Sequence, residues 1–237
     1  MTNSKRNLTM KRIALILTMA LLCLSISAQT DVTTFLGIPI DGYKSEMKQK
    51  LIAKGFVPRK SGDNEYLEGE FNGTNVHVFI ATNNNKVYRI MLCDVNTRSE
   101  ADIKIRFNNL VSQFRNNKRY MTLEDYTLSE SDDISYEMKV HNKNFDACFY
   151  QLPDVEKIDT LTFHKQAKKE LLRKYSPEQL ENPTEEIAQE MRSLAYKMGL
   201  DILFKKSVWF RICEYYGKYY ITMFYDNEYN KANGEDL

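Results

Sequence analysis

The sequence has few of the residues that build catalytic and metal centres. It contains three histidines in 237 residues, and these are His77, His141 and His164. A zinc site needs about three or four ligands, and local pairs such as His-x-x-x-His or Cys-x-x-Cys do not occur here. No Gly-x-Ser-x-Gly segment marks a nucleophilic serine, although catalytic triads can assemble from distant positions. We therefore predict no catalytic residue, no metal ligand and no cofactor.

Cysteine is also scarce, with four residues in the whole chain. Cys23 lies in an apolar N-terminal segment, and Cys93, Cys148 and Cys213 lie in apolar, strand-like stretches. An odd number of widely spaced cysteines after residue 28 is not a disulfide framework. We expect either three buried free thiols or one disulfide and one free thiol. A catalytic cysteine would need a histidine in a matching context, and the sequence offers none.

The sequence also has no large excess of positive or of negative charge. The 33 basic and 32 acidic residues nearly cancel, which leaves a formal net charge of +1. Nucleic-acid-binding domains normally show a strong basic excess, because phosphate contacts provide most of their affinity. We therefore expect no nucleic acid partner.

Long apolar runs are absent except near the N-terminus, where Ile13–Ile26 is almost uninterrupted. Four basic residues precede this run, and the small residues Ser27 and Ala28 follow it. A basic start, an apolar stretch and small residues before a cleavage point are typical of a secretory signal peptide. We predict that residues 1–28 are such a peptide, cleaved before Gln29.

Two other interpretations of this segment are weaker. A membrane span would need about 20 apolar residues, and the run has about 14. A lipoprotein anchor on Cys23 would usually follow a small residue, whereas Leu22 stands there. Met10 is an alternative start, because Lys11 and Arg12 supply a basic segment by themselves. We expect an exported protein of the periplasm or cell surface whose mature form does not span a membrane.

Two segments have the pattern of helices. Ser45–Lys54 precedes Gly55, and glycine is the usual residue just after a helix end. Ser99, with Asp102 three residues later, resembles a capping box that starts a second helix. Apolar residues at helical spacing follow it, namely Ile103, Phe107, Leu110, Val111 and Phe114.

Residues 65–94 have the pattern of a three-stranded meander. Tyr66–Phe71 and Val76–Ala81 flank Asn72-Gly73, a strong hairpin signal because both turn positions need positive φ. A second turn, Asn83–Asn85, leads into the third strand, Val87–Cys93.

The second half of the chain is less regular. Alternating residues predict a hairpin of Tyr136–Val140 with Phe145–Leu152. Phe163–Tyr175 has helical spacing, and Asn182-Pro183 is typical of the start of another helix, which we expect to end at Gly199.

The last two predicted strands, Val208–Tyr215 and Tyr219–Asp226, form a hairpin about Gly217. The whole pattern predicts an α+β fold, in which helices cover one face of an antiparallel sheet. We divide the mature chain into residues 29–152 and residues 153–237, packed together as one globular unit. The uncovered face of the sheet would meet water or a partner.

Phe35–Gly42, Lys54–Phe56 and the closing segment Met223–Leu237 resemble a group of secreted proteins from anaerobic Gram-negative bacteria. The resemblance spans most of the mature chain and implies a periplasmic or surface location, but no activity. The order of helix and meander is also similar to the fold of beta-lactamase-inhibitor-like domains, which implies nothing about function.

Aromatic residues crowd the end of the sequence. Because alternate residues of a strand face opposite sides, the final hairpin carries large rings on both of its faces. Either both faces are covered, or one face forms an exposed aromatic patch that binds a protein or a glycan. The residues that we assign to this patch are Trp209, Tyr216, Tyr220 and Phe224.

The function predicted from the sequence is therefore a non-enzymatic binding or interaction module of the periplasm or cell surface. The alternative is a periplasmic hydrolase whose site is assembled from distant residues. A thiol or hydroxyl beside one of the histidines would favour the alternative. A broad exposed aromatic strip would favour the binding module.

Overall fold

The computed structural model of the chain describes residues 31–157, 159–232 and 234. The predicted signal peptide, residues 1–28, lies outside the described residues. No helix in the described part combines the length and the apolar character needed to cross a membrane.

The described residues belong to two compact units. Asp31 and Asp154–Lys157 belong to a small unit, in which the Asp154 backbone N–H donates to Oδ2 of Asp31 at 2.8 Å. Val155–Lys157 form one turn of 3₁₀-helix there. The large unit consists of residues 32–153 and of the chain from Asp159 onward.

The large unit contains an eight-stranded antiparallel sheet and a separate two-stranded hairpin. The small hairpin is formed by β1 (Thr34–Phe35) and β2 (Ile38–Pro39). The strands of the large sheet are, in chain order, β3 (Val57–Ser61), β4 (Asn64–Phe71), β5 (Thr74–Asn83), β6 (Lys86–Asp94), β7 (Tyr120–Met121), β8 (Asp146–Gln151), β9 (Ser207–Tyr215) and β10 (Lys218–Asp226).

Six α-helices occur among the described residues. They are α1 (Lys44–Ala53), α2 (Glu100–Asn116), α3 (Ile134–Val140), α4 (Thr160–Leu171), α5 (Pro177–Glu181) and α6 (Glu185–Phe204). Helices and an antiparallel sheet together confirm the predicted α+β class.

The strand order in the large sheet is β3-β4-β5-β6-β10-β9-β8-β7. The last strand of the chain, β10, pairs with both β6 and β9, so it lies near the middle of the sheet. The final hairpin thus joins the meander β4–β6 to the short strands β8 and β7. Strands from both halves of the sequence share one sheet.

The hydrophobic core lies between this sheet and helices α1 and α2. On β10, Ile221, Met223 and Tyr225 belong to this core, whereas Thr222, Phe224 and Asp226 alternate with them on the opposite face and are buried as well. The predicted stripe of α2 is confirmed, since all five of its apolar residues are buried against the same core. Each large side chain buried in this way contributes about 1.5–3 kcal/mol to stability.

The beginning and the end of the large unit meet at one edge of the fold. The side-chain amide nitrogen of Asn227 donates to the carbonyl oxygen of Ile40 at 2.6 Å, and Asn227 is buried. The Asn230 amide nitrogen donates to Oδ1 of Asp41 at 2.8 Å. The polar turn after β10 is therefore tied to the loop after β2.

The predictions for the first half of the chain and for the final hairpin are largely confirmed. Helices α1 and α2, the three strands of the meander and the final hairpin all form at the expected positions. The prediction does not include strand β3. Every residue of Val57–Ser61 is exposed and one of them is Pro58, so the segment has no alternation of apolar and polar residues that would indicate a strand. Proline and charged residues are typical of such an edge strand.

The predicted strand Tyr136–Val140 is wrong, because these residues belong to helix α3. The Asp133 carboxylate caps this helix by accepting the Tyr136 backbone N–H at 2.8 Å. Its buried residue, Ile134, anchors the short helix to the core. The second predicted strand of this hairpin forms as β8, but it pairs with β7 and β9.

The predicted boundaries of the last helix are also wrong. The cap of α6 is Thr184, which follows the predicted Asn182-Pro183, and the helix continues through Gly199 to Phe204. A glycine within a helix costs about 1 kcal/mol, whereas burial of Leu203 beyond it contributes about 1.5–3 kcal/mol. Tertiary burial therefore outweighs the local stop signal.

Candidate functional site

The face of the large sheet opposite α1 and α2, which we call the outer face, carries the predicted binding residues. It is formed by the strand residues that alternate with the core residues, and most of them are half-exposed. Its central members are Phe79, Met91, Cys93, Cys148, Trp209, Arg211, Cys213, Tyr220, Thr222 and Phe224.

One row of side chains crosses five neighbouring strands of the outer face. The register places each of these residues directly opposite the next one. In spatial order the row consists of Phe79, Met91, Phe224, Trp209 and Cys148. An apolar band on the outer face therefore runs across the strands, while polar residues lie on both sides of it.

Trp209 and Phe224 form the centre of this row. Their rings stack with centroids 3.9 Å apart and an interplanar angle of 17°. The Arg89 guanidinium lies 4.9 Å from the Phe224 ring centre, and the Arg211 guanidinium lies 5.1 Å from the Trp209 ring. Two cations thus lie against a pair of stacked rings, which is a favourable cation–π arrangement.

An ion pair with a buried carboxylate anchors one side of the stack. Arg89 donates from Nε and Nη2 to the two carboxylate oxygens of Asp226, at 2.5 and 2.7 Å. The indole N–H of Trp209 donates to Oδ2 of Asp226 at 3.1 Å. The Asp226 side chain is only 3% exposed, and its hydrogen bond raises the pKa of Arg89. This carboxylate therefore holds both the guanidinium and the indole in place.

A second arginine–aspartate pair lies on the other side of the row. Arg211 donates from Nε and Nη2 to Asp146 at 3.0 and 2.8 Å. Both side chains are more than a third exposed. The outer face therefore presents one buried and one solvent-exposed pair of the same geometry.

The structure brings three of the four predicted binding residues onto one surface. Trp209, Phe224 and Tyr220 all point to the outer face, and Trp209 and Tyr220 are half-exposed. Tyr216 lies apart, at the tip of the β9–β10 hairpin, with a φ of 48° and 89% exposure. Its ring contacts the neighbouring Tyr215 with centroids 4.6 Å apart.

The prediction assigned none of the charged residues of this surface to the site, namely Arg89, Arg211, Asp146 and Asp226, although alternation places Arg211 on the same side of its strand as Trp209. The sequence does indicate that Arg89 faces away from the core, because it alternates with buried apolar residues along β6. Pairing of Arg89 with Asp226 depends on β10 lying beside β6, and no local pattern indicates that neighbour.

The three described cysteines are free, so the alternative with one disulfide is not realised, but they are half-exposed and the expectation that all three are buried is wrong. Cys93 on β6 and Cys213 on β9 are separated by β10, which places their Cα atoms about 9 Å or more apart. Cys148 pairs with Trp209, four residues along β9 from Cys213. A disulfide needs a Cα separation of about 4.4–6.8 Å, which no pair of these cysteines can reach.

Complete unfolding of a protein that lacks residues 1–28, without a reductant, is therefore expected to release three thiols. Mass spectrometry after maleimide labelling in denaturant should show three adducts, and a fourth would mean that Cys23 is retained. Labelling of the folded protein at pH 8 should be slower, because burial raises the pKa of Cys93 and of Cys148 and thiolate is the reactive form. A single adduct would contradict the separation of the cysteines by strand order.

The register places Cys93 opposite His77 on the outer face, so one thiol lies on the strand position next to a histidine. The His77 ring contacts the Tyr66 ring with centroids 4.5 Å apart and an interplanar angle of 59°, and the Cys93 sulfur lies 3.6 Å from Oγ1 of Thr222. Burial raises the pKa of Cys93, which disfavours the thiolate that a nucleophile requires. Burial therefore favours the neutral thiol of Cys93.

The other two histidines lie elsewhere. His141 follows α3, and its Nδ1 lies 3.2 Å from a carboxylate oxygen of Glu137. His164 lies on α4. Within the described residues, no group of three or more His, Cys, Asp or Glu side chains could hold a metal ion.

Comparison of the chain with models of protein families, with curated proteins and with solved structures gave no match. The geometry of the outer face is therefore the basis for the functional proposal that follows.

Proposed function

We propose that the protein is a non-enzymatic interaction module of the periplasm or cell surface, and that it binds a protein partner on the outer face. The observation that carries this proposal is the row of Phe79, Met91, Phe224 and Trp209, flanked by Arg89 and Arg211, in which Phe224 is buried and the other three side chains are half-exposed.

The composition of the outer face supports a protein partner. Aromatic residues, methionine and arginine are enriched in protein interfaces, and tryptophan, tyrosine and arginine dominate their hot spots. The side chains are also restrained before binding, since Trp209 is stacked on Phe224 and hydrogen-bonded to Asp226. A restrained side chain loses little conformational entropy when a partner covers it.

A glycan partner is less well supported than a protein. Sugar rings stack on an open aromatic face, whereas one face of Trp209 is already covered by Phe224 at 3.9 Å. Arg211 lies 5.1 Å from the same indole, and the indole N–H is engaged by Asp226. Little of the ring is left for a flat sugar, although its edge and the neighbouring guanidinium can contact a protein.

A hydrolase is not favoured by any contact of the described residues. The one thiol that faces a histidine is Cys93, and its raised pKa is opposite to what a nucleophile needs.

The partner can be identified by placing a photo-crosslinking phenylalanine analogue at Met91 in the producing cell. The same analogue at Lys118, an exposed residue just after α2, is the control position. We expect one discrete crosslinked protein from Met91 and none from Lys118. Equal crosslinking from both positions would contradict a role for the outer face.

Affinity for the partner identified in this way should depend on Tyr220 and not on Tyr216. Tyr220→Ala removes a half-exposed ring from the outer face, and we expect roughly 30-fold weaker binding, the loss typical of a hot-spot residue. Tyr216→Ala also removes a tyrosine ring, but from the hairpin tip, and should change affinity by less than roughly twofold. Calorimetric titration of the two purified variants measures the difference.

Equal affinity of Tyr220→Ala and Tyr216→Ala for the partner, with both variants folded by circular dichroism, would overturn the proposal. Binding to a glycan array that is lost in Tyr220→Ala would instead assign the outer face to sugars.

A further inference from the structure

A recessed pocket lies on the core side of the sheet, away from the outer face. It has a volume of about 240 Å³ and opens near the C-terminal end of α2. Four aromatic side chains line it, Phe71, Phe114, Tyr120 and Tyr225. These residues come from β4, α2, β7 and β10, so distant parts of the chain converge on one small cavity.

The volume limits what this pocket can hold. Pockets for drug-sized ligands measure roughly 300–1,000 Å³, and an apolar cavity of about 150 Å³ is sufficient for benzene. The cavity therefore accommodates one ring with a short polar substituent. Its aromatic lining favours a flat or apolar group, because offset and edge-to-face ring contacts are favourable.

The turn between β1 and β2 contributes an unusual side chain to the same pocket. Leu36 lies in the left-handed region with a φ of 51°, and Gly37 follows it with a φ of 79°. Such a turn normally has asparagine or glycine at the position of Leu36, as the Asn72-Gly73 turn does. Strained residues of this kind cluster at ligand-binding positions, and Leu36 lines the pocket.

The charge of the residues that line the pocket favours an anionic ligand. Arg119 lines it, and none of the residues that line it is acidic. The salt bridges formed among the described residues do not include Arg119. Side-chain amides of Asn72, Gln113 and Asn117 provide additional hydrogen-bond donors at the pocket.

We propose that this pocket binds a compact carboxylate that carries one ring, with the ring among the four aromatic side chains and the carboxylate on Arg119. This site is separate from the outer face, because Tyr225 points into the core while its neighbour Phe224 points to the opposite side of the sheet. The pocket and the protein-binding face can thus each be tested without the other.

The test is a titration of the purified ¹⁵N-labelled protein with phenylacetate, followed by NMR. We expect saturable shifts of the amides around Phe114 and Tyr225 with a Kd of about 1 mM, which is ordinary for a ligand of this size. Benzyl alcohol, which has the ring without the charge, should bind roughly fivefold more weakly.

Two variants separate the ring from the charge. Arg119→Gln should weaken phenylacetate binding roughly fivefold and leave benzyl alcohol binding unchanged, whereas Lys118→Gln, the matched change at the adjacent exposed lysine, should alter neither. Leu36→Asn restores the residue that the turn favours, so the fold should be retained while affinity for both compounds falls.

Absence of shifts at about 10 mM phenylacetate would overturn the proposal. Shifts that are unchanged in both Arg119→Gln and Leu36→Asn would do the same. Trp209→Ala is expected to bind phenylacetate normally if it remains folded, so a failure of the outer-face proposal is distinguishable from a failure at this pocket.

Discussion

Replacement of Asp226 by alanine is expected to lower the free energy of unfolding by about 3–5 kcal/mol. The Asp226 carboxylate is 3% exposed and accepts two hydrogen bonds from Arg89 and one from Trp209. Its removal leaves a partly buried guanidinium without a counter-charge and an indole N–H without an acceptor. Denaturant unfolding followed by circular dichroism measures the loss.

Asp146→Ala is the matched control for this prediction. Asp146 also binds an arginine through two hydrogen bonds on the outer face, but both side chains of that pair are more than a third exposed. An exposed pair contributes about 0–1 kcal/mol, because water and salt screen it. Equal losses for Asp226→Ala and Asp146→Ala would mean that burial of the first pair is unimportant.

Phe210→Ala is expected to cost about 3–5 kcal/mol as well, for a different reason. The Phe210 side chain is 0% exposed and lies on the core face of β9. Its ring centre is 5.1 Å from that of Phe107 and 6.1 Å from that of Phe149. Alanine would leave a cavity among these rings and would lose the transfer free energy of the side chain.

Tyr216→Ala provides the comparison for Phe210→Ala within the same hairpin. Tyr216 is 89% exposed, so its loss should change stability by no more than about 0.5 kcal/mol. Both variants are measured by the same urea titrations. A loss below about 1 kcal/mol for Phe210→Ala would contradict its central place in the core.

The two large losses have different consequences for function. Phe210 contributes to the core, which keeps the sheet and α2 together, whereas Asp226 orients side chains of the outer face. A folded Asp226→Asn variant would keep the shape of the side chain and remove its charge. We expect such a protein to bind the partner of the outer face more weakly, because the amide has one accepting oxygen in place of two and no charge, so it cannot serve both Arg89 and Trp209 as the carboxylate does.

Much of the candidate site follows from local pattern. The alternation in the final hairpin predicts that Trp209 and Phe224 lie on the same side of their strands if the hairpin turns at Gly217, and the register confirms this pairing. The same reasoning could not separate Tyr216 from the surface, because a two-residue turn removes its own side chains from the alternation.

The sequence by itself determined the elements with strong, uninterrupted periodicity. The spacing of apolar residues in α2, the turns of the meander and the alternation of β10 are properties of short segments, so local rules are sufficient to find them. Local rules failed at α3 and at the end of α6, where a cap and a buried leucine outweigh an apparent alternation and a glycine.

Only the tertiary structure decided which strands are neighbours outside the predicted meander and final hairpin, and with them the chemistry of both sites. Placement of β10 between β6 and β9 brings Arg89 to Asp226 and puts Thr222 between Cys93 and Cys213. It also brings Tyr225 to the pocket beside α2. Strand order results from burial and hydrogen bonds between residues more than a hundred positions apart, and no periodicity within a short window reports such contacts.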